Sequence, residues 1–206
     1  MAIKAPRLPY DELRRIAAKF LADHHPLQAV PIPIVRIAEF CYEMDIVPVP
    51  GLQTAFDTDS SISSDLTTIY VDEFVFRSRH SRYRFSVAHE LSHRLLHADI
   101  LAELRFSSIA EFKTAIASIP PDQYRWIEWQ AYSLAGLILV PKDALAVAYS
   151  KANGAAEAAG ICLRNVDTHA ANIICANIAK DFLVSTTVIR KRLKFDDVID
   201  WESMSR

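Results

Sequence analysis

The sequence has 206 residues, of which 51% are hydrophobic and 23% charged, with a formal net charge of −2 at pH 7. That length can bury a substantial core, so one domain, or one domain with a small appendage, is expected. The small net charge gives no bulk attraction to nucleic acid, and the composition is that of a folded chain without low-complexity tracts.

Cys41, Cys162 and Cys175 are odd in number and lack C-x-x-C spacing. They read as buried thiols in a reducing compartment, not as a disulfide frame or a cysteine zinc site. The opening M-A-I-K-A-P-R-L-P-Y has no apolar signal core, and the most apolar run, residues 134–140, is too short to span a bilayer. A cytoplasmic protein with no membrane role is the expectation.

Residues 10–23 predict a helix with Leu13, Ile16, Ala17, Phe20 and Leu21 as its apolar stripe and Asp11 as its cap. His24 and His25 read as its solvated end. Pro31 and Pro33 lead into a second helix over 34–43. Ile46, Val47 and Val49 form a short strand punctuated by Pro48, Pro50 and Gly51. Residues 57–65, D-T-D-S-S-I-S-S-D, read as a hairpin region, because they lack the Gly and terminal Glu of a calcium loop. Residues 66–71, L-T-T-I-Y-V, are a strand by their β-branched content. Arg77 to Arg84 is basic, but the run is short and adjoins Asp72 and Glu73. It reads as solvated loop and first helical turn. Arg84 in that run is a candidate to anchor the next helix or a substrate carbonyl.

Residues 85–97, F-S-V-A-H-E-L-S-H-R-L-L-H, carry the chemistry. Phe85, Ala88, Leu91, Leu95 and Leu96 recur at three- and four-residue steps, as in an amphipathic helix. His89 and His93 are four apart, so they share a face and can bind one metal ion. Glu90 lies beside such an ion, where a carboxylate can take a proton from water. A short helix over 109–119 ends at Pro120-Pro121, and a long helix follows over 122–140. A zinc site needs a third protein ligand, and Glu128, His97, His169 and Asp167 are the candidates. Glu128 lies in apolar surroundings where an unpaired carboxylate is expensive, so a metal would be a fitting partner. His97 extends the same ladder, but three histidines along one straight helix do not easily converge on one ion. A role supporting a ligand suits it better. Asp167 and His169 suit a helix cap and an ordinary histidine.

The run R-F-S-V-A-H-E-L-S-H-R-L-L-H, followed by I-E-W-Q-A-Y-S-L-A-G-L-I-L-V-P, resembles the ImmA/IrrE-type metallopeptidases. Their pattern is an R-F-[ST]-x-A-H-E-x-x-H-x-x-L-H helix and then E-x-x-A-[ND]-x-F-A-x-x-L-L-x-P. The likeness covers roughly residues 13–141, and the paired motifs are specific together. It implies a gluzincin-like site in which His89, His93 and Glu128 hold the metal and Glu90 is the catalytic acid/base. Tyr132 departs from the usual Asn or Asp, so an acceptor for a ligand histidine is replaced. Its hydroxyl is a candidate to make that bond itself or to donate to an oxyanion. Leu134 for Phe and Ser92 for Gly are milder changes.

Beyond Pro141 a helix is expected to about residue 148, then an Ala-rich linker over 151–160 and a helix over 168–182. The pattern I-A-K-D-F-x-V-S-x-x-V-I-x-x-R-L resembles a helix-turn-helix, with Ser185 capping a basic helix that carries Arg190, Lys191, Arg192 and Lys194. DNA contact through them is the weaker expectation, because Asp196, Asp197, Asp200 and Glu202 follow and would repel phosphates.

The expected fold is α+β: a mostly helical zincin-like domain with a small sheet over 1–141, and a helical C-terminal region over 142–206 packed on it. The expected function is a zinc-dependent endopeptidase, with manganese or iron also compatible with the donor set. Residues 66–71 would offer a sheet edge to the substrate. The resemblance implies a partner repressor of helix-turn-helix type, in a stress, mobile-element or toxin–antitoxin circuit, as substrate. The alternative is a non-catalytic regulatory module that contacts DNA or a repressor.

Overall fold

The computed structural model describes residues 3–104, 106, 108–158 and 168–196. Helices α1 (Tyr10–His24) and α2 (Ile34–Cys41) precede strand β1 (Asp45–Val49), the short helix α3 (Leu52–Phe56) and strands β2 (Ser60–Ile62) and β3 (Thr68–Asp72). Then come α4 (Glu73–Ser78), the long α5 (His80–Leu104), α6 (Ile109–Ala117), α7 (Pro121–Leu139), α8 (Lys142–Ala158), α9 (Thr168–Phe182) and α10 (Thr186–Phe195). This is an α+β fold, mostly helical, with one small mixed sheet.

The sheet order is β1-β3-β2. β1 runs parallel to β3, with Ile46 opposite Ile69, and β2 runs antiparallel, with Ser61 opposite Tyr70. The strand expected over 66–71 is therefore central, and the idea that it offers a free edge is corrected. Its fully buried Ile69 and Val71 share one face, turned to the core, while Thr68 and Tyr70 on the other face are half-buried, and both of its edges are paired. The outer strands are β1 and β2.

Asp72 ends β3 and starts α4 in one step. Its carboxylate accepts from the backbone N–H groups of Phe74 and Val75, and also from Gln53 in α3. The cap expected at Asp11 is not made. Pro9 holds the N-cap position, and Asp11 pairs with Arg14 one turn on. The Ala-rich stretch expected as a linker is helical as far as residue 158, as the second half of α8, and its last two residues lie outside the described ones. Alanine is the best helix former, and one internal glycine costs only about 1 kcal/mol against it. Ser185 caps α10 as expected.

Helices α5 and α7 pack against each other behind the sheet, and α1 packs on α7. One buried cluster runs from Leu13 and Ile34 through Leu91 and Leu134 to Phe182, Ile189 and Leu193, so the last helices share the core of the first. Arg192 is only 3% exposed. Its guanidinium donates to the Val140 carbonyl and the Tyr10 hydroxyl, and pairs with buried Asp196, which also binds Arg14. This corrects the reading of Arg192 as a DNA contact. Its position in the R-K-R-L-K run faces α7, where an apolar stripe residue would normally sit. Among the described residues, no single helix is long and apolar enough to cross a membrane.

Candidate metal centre

The middle of α5 brings His89, Glu90 and His93 to the inner end of a cleft, and α7 crosses it with Glu128. His89 Nε2 lies 3.0 Å from His93 Nε2. Glu128 reaches both rings, with Oε2 3.3 Å from His89 Nε2 and Oε1 3.4 Å from His93 Nε2. Three donors each about 2.1 Å from one tetrahedral ion are separated by roughly 3.4 Å. The spacing, the donor types and their partial burial fit a shared ion, so His89, His93 and Glu128 form a group able to hold a metal.

The charges are arranged to match. Burial alone would raise the Glu128 pKa, but hydrogen bonds and charge from His89 and His93 hold the carboxylate well below its usual range. Burial opposes a charged His89, yet Glu128 and Glu90 together raise its pKa above the ordinary value. A cation is thus favoured between these groups, whether it is shared protons or a metal ion.

Glu90 is buried beside the group, and Ser60 on β2 donates to its Oε1 at 2.7 Å. Sequence reading missed Ser60, whose only signal was a hydroxyl in a turn-rich stretch. It also missed Tyr124, four residues before Glu128, whose hydroxyl hydrogen-bonds that carboxylate. Burial, and then the Glu128 charge, push the Tyr124 pKa up, which keeps it a donor.

His97 does not join the three donors. The backbone leaves helical geometry there (φ −130°, ψ 19°), and its Nδ1 sits 3.1 Å from His93 Nδ1, on the side away from Glu128. Burial and then the His93 charge lower its pKa to about 4, so it is neutral at physiological pH. Tyr132 packs edge-on against His89, with ring centroids 4.7 Å apart, and His89 Nδ1 is buried with no hydrogen-bond partner. The bond suggested for the Tyr132 hydroxyl is therefore not made to that nitrogen. Arg84 is buried with Nη2 on the Ile32 carbonyl at 2.7 Å. It anchors α5 to the segment before α2, and the alternative of a substrate or oxyanion contact is corrected. Asp167 lies outside the described residues, and His169 is described only as part of the α9 backbone.

The cleft has a volume of about 990 Å³. Its lining includes Asp59, Ser60 and Arg82 and, from α10, Thr187, Val188 and Lys191. The Lys191 ammonium stands 5.8 Å over the Tyr132 ring, while Arg190 is bonded to Asn172. Within the basic helix, Lys191 thus belongs to the cleft.

No curated protein matches the chain. Among solved structures, a Mycobacterium tuberculosis transcriptional regulator shares the fold with a TM-score of 0.50 at 14% identity, over 89% of this chain and 46% of that one. The chain thus spans about half the length of that protein, and the likeness concerns the fold. A family model described as Peptidase_M78, IrrE N-terminal-like domain, matches residues 67–194, which include every donor of the candidate centre, and by that match the chain belongs to this family.

Proposed function

We propose that the protein is a zinc-dependent endopeptidase that cuts a partner protein, with His89, His93 and Glu128 holding the metal and Glu90 as catalytic acid/base. The observation that carries this reading is the convergence of three donors 3.0–3.4 Å apart beside a buried carboxylate on a peptide-sized cleft. Membership of the family supports a metallopeptidase-like or regulatory role. Two histidines and one glutamate are a known set for catalytic zinc, and manganese or iron also suit it.

A divalent ion in this group supplies Lewis acidity towards a carbonyl and towards a water. The protein does the rest. Ser60 fixes one oxygen of Glu90, leaving the other to take a proton from the attacking water and deliver it to the leaving amine. Tyr124 holds Glu128 in place. Tyr132 and Lys191 line the approach to His89 and are positioned to touch substrate. In this reading residues 142–206 are not a separate reader of DNA but a part of the peptidase, since α10 walls the cleft. The substrate is a protein, and a repressor of helix-turn-helix type is the resemblance's choice; the compartment is the cytoplasm.

The orphaned His89 Nδ1 favours one alternative, a regulatory module that binds its partner without cutting it. The Glu90→Gln variant separates the two. Elemental mass spectrometry should find about one metal ion per chain in both wild type and variant. Cleavage of a candidate repressor, read by mass spectrometry, should occur with the wild type only. Turnover by a clean Glu90→Gln preparation would sink the assignment, and metal-loaded wild type that binds a repressor without cutting it would support the module.

A further inference from the structure

Behind His93 a line of hydrogen bonds, buried at His97 and Gln130, leads out to the N-terminal segment, and each bond in it has only one sense. The Pro6 carbonyl can only accept. It takes Gln130 Nε2 at 2.5 Å and Trp126 Nε1 at 3.0 Å. The amide of Gln130 is therefore turned so that Oε1 faces His97, 2.9 Å from Nε2. That oxygen also only accepts, so the His97 proton is on Nε2 and its Nδ1 is bare. The bare Nδ1, 3.1 Å from His93 Nδ1, requires His93 to donate from Nδ1. A neutral His93 with its proton on Nδ1 presents an unprotonated Nε2 to His89 and Glu128, which is the form a metal ligand must have. Gln130 is 0% exposed, His97 1% and His93 6%, so water does not offer an easy substitute partner between Gln130, His97 and His93.

We infer that Gln130, clamped by the Pro6 carbonyl, is a positioning residue that sets the ring tautomer of His93, and that the docked N-terminal segment thereby contributes to metal affinity. The inference rests on the reading of His93 as a ligand. The segment is held independently of the ligand chain: Ala5 is buried against Ile119 and Ile127, and its N–H donates to Gln123 Oε1 at 3.0 Å. Helix α7 accordingly serves the centre twice, through Glu128 in the group itself and through Gln130 two residues later behind His93. His89 has no matching support at Nδ1, so the two imidazoles are unequal: His93 is hydrogen-bonded through both ring nitrogens, whereas behind its Nε2 contacts His89 has only ring packing.

The test uses the full chain and two readouts. In metal-free wild type at alkaline pH, where imidazoles are neutral, nitrogen-15 NMR of the rings should show His93 with its proton on Nδ1 and His97 with its proton on Nε2. The opposite tautomer at His93 overturns the proposal whatever any variant does. Zinc affinity, measured by competition with a chelating indicator, should fall about tenfold or more in Gln130→Leu, which removes the acceptor. Gln130→Glu keeps an acceptor for His97 and should stay within a few-fold of wild type, although its contact with Pro6 is lost; a merely structural role would predict the larger loss in this charged variant. Deleting residues 2–6 should weaken zinc binding several-fold in wild type but add little in Gln130→Leu, because the two act through one line. Equal affinities across the set, or a deletion effect that adds fully to Gln130→Leu, overturn it. A wild type that binds no zinc would instead remove the metal reading, and the NMR result would still decide the tautomer.

Discussion

Glu90 sits in the most legible motif of the chain, yet the hydroxyl that orients it comes from Ser60, thirty residues earlier and in a different kind of structure. No spacing rule connects the two, because the partnership exists only once β2 lies against α5. A hydrogen bond to a charged group contributes about 1.5–3 kcal/mol. Ser60→Ala should thus cut kcat about tenfold or more at unchanged metal content, and an unaltered kcat would show that Glu90 needs no such guide. Tyr132 offers the converse case. Its departure from the family pattern was visible in the sequence, but its consequence was not: the ring covers His89 while Nδ1 goes without a partner. Tyr132→Asn places a short acceptor at that position and should tighten metal binding about tenfold. Competition titration with a chelator checks this, and an affinity no higher than wild type would mean that position 132 does not reach the ring.

Among the elements, long periodic helices and the strands with β-branched residues were readable because burial repeats along them. α3 and α4 were not, since five or six residues carry too little periodicity to stand out. The order of the sheet was likewise hidden: which strand is central depends on packing between segments, and the strand richest in buried Ile and Val took the middle. The basic run of α10 misled in a different way. Charge left DNA contact open for all four basic residues, whereas Arg192 is drawn inward by the carbonyl at the end of α7 and by Asp196. Removing one partner of a buried pair costs up to roughly 3–5 kcal/mol, and here it would leave buried Asp196 with Arg14 alone and the Val140 carbonyl without its donor. Arg192→Ala should therefore lower the urea midpoint of unfolding sharply, while Lys194→Ala, on the exposed side, should leave it nearly unchanged. Similar midpoints for both would contradict the buried arrangement.

Over the whole molecule, the family model spans both the metal motifs and the C-terminal helices, and the buried cluster does the same. A chain ending after Ser185 would lose Ile189 and Leu193, worth about 2–3 kcal/mol each when buried, together with the Arg192 anchor. Against a typical total stability of about 5–15 kcal/mol, such a truncation should not survive as a native fold. Circular dichroism should show the loss of its cooperative thermal transition. A truncated chain that still melts cooperatively and binds metal would establish the first part as an independent domain.

The two ends of the described chain meet. Tyr10 and Phe195 pack at a tilt with ring centroids 5.4 Å apart, and Arg14 grips both the Phe195 carbonyl and Asp196. During synthesis this sets an order of events. The ribosome releases both metal motifs well before it releases α10, so a nascent chain can acquire its donors while the cleft still lacks a wall. Contacts between residues so far apart in sequence also form late and slowly. A cleft built this way gains its last lining only when α10 has emerged and docked against Tyr10 and Arg14, so the helices that carry His89, His93 and Glu128 are in place before the surface that faces them is complete.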